Sequence, residues 1–169
     1  MVTIVHSVVR RWRYFAMLMI AGLLVAACAS STKASATAAA GGSTTSGGSV
    51  ATVSTKTGPA GTYLTDSAGK TLYLFVNDTT SASTCTGTCL QAWPALITSG
   101  APKAGAGVTA SMLSTTTRGD GSMQVDYNNH PLYYYAGDSA AGDVNGQGSS
   151  ANGGLWWLVA PSGDAIMTK

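Results

Sequence analysis

The chain has 169 residues, room for one ordinary domain with additional segments. Only 9% are charged and none is Glu, so exposed helical faces lack their usual formers, while Thr, Val and Tyr among 21 Gly predict an all-β fold of short strands and tight turns. The formal charge of +2 includes Arg10, Arg11 and Arg13 of a segment read below as removed; without them six Lys and Arg face seven Asp, and a net charge of −1 excludes the basic footprint of nucleic-acid binding.

Residues 6–13 form a positive start and residues 14–27 an apolar run broken only by Gly22. Fourteen helical residues reach about 21 Å, against a hydrocarbon core of about 30 Å, so the run fits the apolar region of a secretory signal better than a membrane span. It ends in Val25-Ala-Ala-Cys28, which resembles a bacterial lipobox. On that reading residues 1–27 are a lipoprotein signal peptide and Cys28 becomes the acylated N-terminus; the alternative is an ordinary signal peptide with an incidental cysteine. Several acyl chains on one residue hold a protein to a bilayer far better than one. The expected location is the extracytoplasmic face of the cell membrane, lipid-anchored.

Residues 29–58 are almost entirely Ser, Thr, Ala and Gly, with two lysines and two valines, and without an aromatic residue or an apolar period. Such a segment buries too little to offset its ordering entropy, which predicts a flexible tether with an rms reach of about 30 Å and a domain boundary near Pro59. The folded part is then 59–169.

That part contains one stretch twice. Asp126-Tyr-Asn-Asn-His-Pro-Leu-Tyr-Tyr-Tyr-Ala-Gly-Asp138 repeats Asp66-Ser-Ala-Gly-Lys-Thr-Leu-Tyr-Leu-Phe-Val-Asn-Asp78 sixty positions on, and Gly61 and Gly121 extend the match. Each copy predicts a strand, a tight turn at Gly69 or at Asn128-Asn129, and an aromatic strand that stops at an Asp. Along residues 71–76, Leu72, Leu74 and Val76 share one face and Tyr73 and Phe75 the other, so the strand is expected to be central. Tyr133 and Tyr135 oppose Leu132 and Tyr134 in the second copy. Trp93 follows Asp78 by fifteen positions and Trp156 follows Asp138 by eighteen, extending the repeats over about 61–98 and 121–168. Pro161-Ser-Gly-Asp164 predicts a last hairpin, with residues 165–168 as an edge strand. The whole reads as a small antiparallel β domain of two related halves about a pseudo-two-fold axis.

Tyr73-Leu-Phe75-Val-Asn-Asp78 and Tyr133-Tyr-Tyr135-Ala-Gly-Asp138 both resemble the Y-x-(F/W/Y)-x-x-D signature of a family of bacterial lipoproteins, also described as a secreted repeat of unknown function. Arg118-Gly-Asp-Gly121, Asn129-His-Pro-Leu132, residues 142–148 and the closing tryptophans are similar to that family too. The resemblance covers roughly 60–165, with 149–154 longer than the pattern, and implies a surface lipoprotein without a settled activity.

The motif residues Tyr73, Phe75, Asp78, Tyr133, Tyr135 and Asp138 suit either a ligand groove, where aromatic faces beside a carboxylate hold cationic or planar molecules, or plain packing, with each Asp capping its turn. Packing is the expectation. Cys85 and Cys89, in an oxidising compartment, point to a disulfide; the alternative is a copper site of two thiolates with His130 as third ligand, in a copper-handling or electron-transfer accessory protein. Asp143, Asn145 and Gln147 place oxygens at alternate positions as Ca²⁺ loops do, but position twelve is Gly154 instead of Glu, which favours an Asx turn. No G-x-S-x-G frames a serine, so no enzyme is expected. Arg118-Gly-Asp120 reads as a turn and Asn77-Asp-Thr79 as an unused sequon. The expected function is a lipid-anchored, non-catalytic binding or envelope-structural module, with the membrane and an unknown surface ligand or protein as partners and without a required cofactor.

Overall fold

The computed structural model describes residues 48–168. The signal segment 1–27, Cys28 and the tether up to residue 47 lie outside those residues. The fold is all-β, as expected: its strands are β1 (Thr52–Gly58), β2 (Gly61–Asp66), β3 (Tyr73–Phe75), β4 (Ile97–Thr98), β5 (Lys103–Ala104), β6 (Leu113–Thr117), β7 (Met123–Tyr127), β8 (His130–Pro131), β9 (Trp156–Val159) and β10 (Ala165–Ile166). Helix is confined to α1 (Cys89–Ala92) and a 3-10 turn at Ala110–Met112 among the described residues. The strands form small sheets ordered β2-β1-β5, β10-β9-β3 and β4-β7-β6, with β8 paired to β7.

The predicted boundary at Pro59 is too late, because β1 lies inside the domain. It pairs antiparallel with β2 from Val53–Asp66 to Gly58–Gly61, and parallel with β5 on its other edge. Its sequence shows no apolar period because only Val53 and the preceding Ala51 bury a side chain; the rest is held by backbone bonds, which Ser, Thr and Lys make as well as any residue.

With β1 included, the repeat begins earlier than residue 61. β1 and β6 match at an offset of sixty, since Ser54 faces Thr65 and Ser114 faces Asp126. The hairpins differ in length. Gly58 and Gly61 close over two residues, whereas Arg118 N–H bonds to Ser122 C=O over three, so β7 follows β2 at sixty-one. The next turn removes the extra residue: Thr65 bridges Thr71 over five residues, but Asp126 pairs with Pro131 over four. That shorter turn is Asn128-Asn129 with φ of 51° and 64°, the two left-handed positions that a two-residue hairpin requires.

The repeats do not form separate lobes. β3 of the first copy pairs with β9 of the second, and β4 of the first pairs with β7 of the second. Tyr133 bridges Ala95, as Tyr73 pairs with Leu158. Each copy therefore contributes its last strand to the sheet of the other, and the pseudo-two-fold axis runs between Tyr73 and Tyr133, which bridge one another.

The alternation along β3 divides the core in two. Leu72, Leu74, Leu132, Val53, Leu64, Val125, Tyr127 and Trp157 pack on one side. Tyr73, Phe75, Tyr133, Trp93, Trp156 and the two cysteines pack on the other. Each fully buried Leu stabilises by roughly 1.5–3 kcal/mol, so both faces contribute, and β3 is buried on both faces although it ends its three-stranded sheet, with a single bridge from Tyr73 to Tyr133 beyond it. Val76 departs from the expected face. It is 45% exposed because Asp78 N–H bonds to Phe75 C=O and turns the chain out of the strand one residue earlier. At the far end, Ala160 N–H bonds to Asp164 C=O and β10 returns along β9, the predicted edge hairpin.

Candidate functional site

The motif residues meet at the local axis. Tyr73 and Tyr133 point to the same side of the sheet, and each phenol reaches the aspartate of the other copy: Tyr73 Oη donates to Asp138 Oδ2 at 2.7 Å, and Tyr133 Oη donates to Asp78 Oδ2 at 2.6 Å. The second oxygen of each carboxylate caps a loop. Asp78 Oδ1 accepts from Thr84 N–H at 2.7 Å and from the Thr84 hydroxyl at 2.6 Å, and Asp138 Oδ1 accepts from Asn145 N–H at 2.9 Å. Burial pushes both phenols well above the ordinary tyrosine range, and the hydrogen bond to an aspartate adds to it. Burial also raises Asp138, opposed by the bond from Tyr73.

The rings obey the same symmetry. Trp93 and Trp156 stack across the axis with centroids 3.9 Å apart and planes 2° from parallel. Phe75 stacks outside Trp156 at 4.2 Å, and Tyr135 lies outside Trp93 at 4.5 Å. Tyr73 meets Trp93 edge-on and Tyr133 meets Trp156 edge-on. Phe75 is 3% exposed, while Tyr73, Tyr133, Trp93 and Trp156 are fully buried. The six motif side chains hold the copies together by packing and cross-capping. The packing expected of these residues accounts for the buried rings, whereas Tyr135 stays half-buried at the edge of the stack.

Cys85 and Cys89 form the predicted disulfide, both buried against this aromatic cluster. His130 is not beside them. It pairs with Tyr127 on β7 and shares the strand face of Leu132 and Tyr134, whereas the cysteines pack on the face of Tyr133. The predicted copper set is therefore divided between the two faces of one strand. The predicted calcium set is also dispersed. Asp143 Oδ2 accepts the N–H groups of Ser139 and Ala140, closing the loop back onto the residues before it, and Gln147 donates to the C=O of Ile166 and Thr168 while accepting from Leu158 N–H. Asn145 Nδ2 donates to Gly137 C=O at 3.3 Å. Among the described residues no three His, Cys or Asp side chains converge as an ion-holding group.

Two features were not legible as site residues. Arg118, expected to sit in a simple turn, directs its guanidinium inward. It donates to Ser83 Oγ at 2.8 Å, to Cys85 C=O at 2.7 Å and to Gln124 Oε1. Ser83 Oγ in turn lies 2.6 Å from Tyr133 Oη. Asp120 does keep the turn, accepting from Ser122 N–H and its hydroxyl. The other is Asp126. Its sequence mate is Asp66, which accepts from Tyr134 Oη at 3.0 Å and from two turn N–H groups. The one-residue shift of β7 instead puts Asp126 in the place of Thr65, fully buried, with neither oxygen hydrogen-bonded among the described residues. Burial, then the nearby Asp78 charge, pushes its carboxyl up to about 7.

A family model described as a secreted repeat of unknown function matches twice, at residues 54–97 and 114–160. The matches begin in β1 and β6, where the structural repeat begins, and together take in 44 and 47 of the 169 residues, more than half of the chain. No curated protein and no solved structure matches. A secreted repeat has an extracellular or envelope location, and among the described residues no helix is long and apolar enough to cross a membrane. The intertwined two-copy architecture and the doubled match agree: the chain belongs to the family of secreted repeats of unknown function.

Proposed function

We propose that this protein is a lipid-anchored, non-catalytic module on the extracytoplasmic face of the cell membrane, presenting one rigid β domain to a surface ligand or protein partner. The observation that carries this reading is the internal use of the Y-x-(F/W/Y)-x-x-D residues. Tyr73, Asp78, Tyr133 and Asp138 cross-link the repeats, so the signature of the lipoprotein family specifies a scaffold. Functional contacts then fall to the surface of that scaffold. Anchoring rests on Val25-Ala-Ala-Cys28 after a positive start and a fourteen-residue apolar run. The copper reading requires both thiols free and His130 moved to the other face of its strand, so the stapled module is the better supported of the two. Nucleic acid is not a partner on the charge of −1 derived above.

The test is metabolic labelling with an alkyne fatty acid and detergent-phase partitioning of the full chain and of Cys28→Ala. The expected result is a labelled, detergent-phase wild type and an unlabelled Cys28→Ala. An unlabelled wild type found in the aqueous phase overturns the anchor.

A further inference from the structure

The two copies of the repeat differ at one strand edge. β1 is paired on both sides, whereas among the described residues β6 is paired only by β7. Three backbone bonds hold the cover on β1: Lys103 N–H to Ala51 C=O at 2.8 Å, Gly105 N–H to Val53 C=O at 2.6 Å, and Thr55 N–H to Ala106 C=O at 3.0 Å. The equivalent outward groups on β6 are Leu113 C=O and Thr115 N–H, and among the described residues neither has an outward backbone partner.

The edges are alike in chemistry. The covering segment rests on Ser54 and Thr55, which it leaves half-buried; Ser114 and Thr115 repeat those residues in type and order and are exposed. The cause of the difference lies at the end of each copy. After Thr98 the chain runs across β1 through residues 99–107, whereas after Val159 it turns back as β10 and never arrives at β6. β6 also lacks the usual guards of an open edge. Leu-Ser-Thr-Thr-Thr has no charge and no proline, and its register with β7 contains no bulge.

The cover on β1 states what such an edge accepts. A Cβ on Gly105 would overlap Ser54 Oγ and come within 2.9 Å of Val53 C=O, and a Cβ on Gly107 would overlap Thr55 Oγ1. A segment on this edge therefore needs glycine where it passes Ser54 and Thr55, at the positions of Gly105 and Gly107. That requirement disfavours β6 of a second copy, whose Ser114 and Thr115 carry side chains at the contact.

We propose that β6 is a strand-acceptor site for an extended Gly- and Ala-rich segment of a partner protein, added parallel to β6 as residues 103–107 are added to β1. Main-chain bonds to Leu113 and Thr115 give affinity, and the close approach over Ser114 and Thr115 selects glycine. The proposal deepens the binding-module reading above and rests on it.

The probe is a synthetic peptide of residues 99–108, Ser-Gly-Ala-Pro-Lys-Ala-Gly-Ala-Gly-Val, added to the full chain while amide exchange is followed residue by residue. Saturating peptide is expected to slow exchange at Thr115 at least tenfold. Ser114→Trp, or a peptide with Val in place of its last two glycines, is expected to weaken binding at least tenfold. Thr115 exchanging at the same rate with and without peptide overturns the proposal. So does a Thr115 amide already protected without peptide, which would mark the chain's own Gly-rich residues 39–48 as the occupant, and so does equal binding of the valine peptide. Ser114→Trp leaves fatty-acid labelling at Cys28 unchanged, so a failure at this edge is distinguishable from a failure of the anchor.

Discussion

Tyr73 and Tyr133 exchange both backbone hydrogen bonds with one another, N–H to C=O, at 2.8 and 3.0 Å. The exchange sets the two rings side by side across the axis and so makes each phenol the natural partner of the other copy's aspartate. Sequence neighbours such as Tyr73 and Asp78 are therefore partners in pattern only; the physical pairs are Tyr73 with Asp138 and Tyr133 with Asp78. Double-mutant cycles check this. Tyr133→Phe leaves a buried carboxylate oxygen short of a donor and is expected to cost about 1–3 kcal/mol in urea unfolding. Tyr133→Phe with Asp78→Asn is expected to show a coupling energy of about 1 kcal/mol or more, and Tyr73→Phe with Asp78→Asn one near zero. The reverse ordering would place the bonds within each copy.

The stack of Trp93 on Trp156 predicts a spectroscopic signature. Two indoles 3.9 Å apart and 2° from parallel couple their electronic transitions, so the circular dichroism of the tryptophan bands is expected to change by more than the loss of one indole when either is replaced by Phe. Trp93→Phe and Trp156→Phe should give the same difference spectrum, because both remove the same coupling. Two unlike spectra that sum to the double variant would show independent indoles. Replacement by Ala is expected to cost about 3–5 kcal/mol, since both rings are fully buried.

Much of this architecture was legible in the sequence, and the failures have physical causes. The doubled Tyr-x-(Phe/Tyr)-x-x-Asp stretch gave the symmetry, and the alternation of Leu72 and Leu74 with Tyr73 and Phe75 gave a strand buried on both faces. β1 was hidden because composition reports side chains that must be buried, and a strand paired on both edges through Ser and Thr needs few of them. The exchange of last strands was hidden because local pattern does not say which copy a strand will pair with. Asp126 was misplaced because sequence alignment set it on Asp66, while one extra residue in the 118–122 turn moved its side chain into the core. Arg118 had no sequence signal, since its three acceptors lie up to 35 positions away.

Reduction of the disulfide is the next expectation. Cys85 and Cys89 close a loop of five residues, for which loop entropy gives about 2 kcal/mol. Cys85→Ser with Cys89→Ser is expected to lower Tm by roughly 6–10 °C with the fold retained, on the usual scaling for a domain of this size. Arg118 grips Cys85 C=O from outside the loop, so Arg118→Ala is expected to cost less in the double serine variant than in the oxidised protein. Equal costs in both backgrounds would mean that Arg118 acts through Ser83 and Gln124 alone.

Asp126 makes the domain's stability depend on pH in the direction opposite to that of a paired carboxylate. Its oxygens have no partner among the described residues and its carboxyl is raised to about 7 by burial and then by the charge of Asp78, whereas the unfolded chain releases that proton near 3.9. Below about pH 4 both states hold the proton and no penalty exists. Between about 4 and 7 the unfolded chain ionises while the folded one does not, so the proton is bound more by the native state and stability falls as pH rises. Above about 7 both are ionised and the loss is complete, at most about 4 kcal/mol for a three-unit shift. Asp126→Asn keeps the shape without the charge, and its unfolding free energy at pH 8 is expected to exceed that of the parent by about 2–4 kcal/mol, with the gap closing towards pH 4. Asp138, also raised by burial, leaves a shallower slope of the same sign in the variant. Urea titrations of both proteins from pH 4 to 8 decide the matter: parallel curves would mean that Asp126 finds a proton-independent partner in solution, and converging curves at acid pH would identify the unpaired carboxyl as the origin of the alkaline instability.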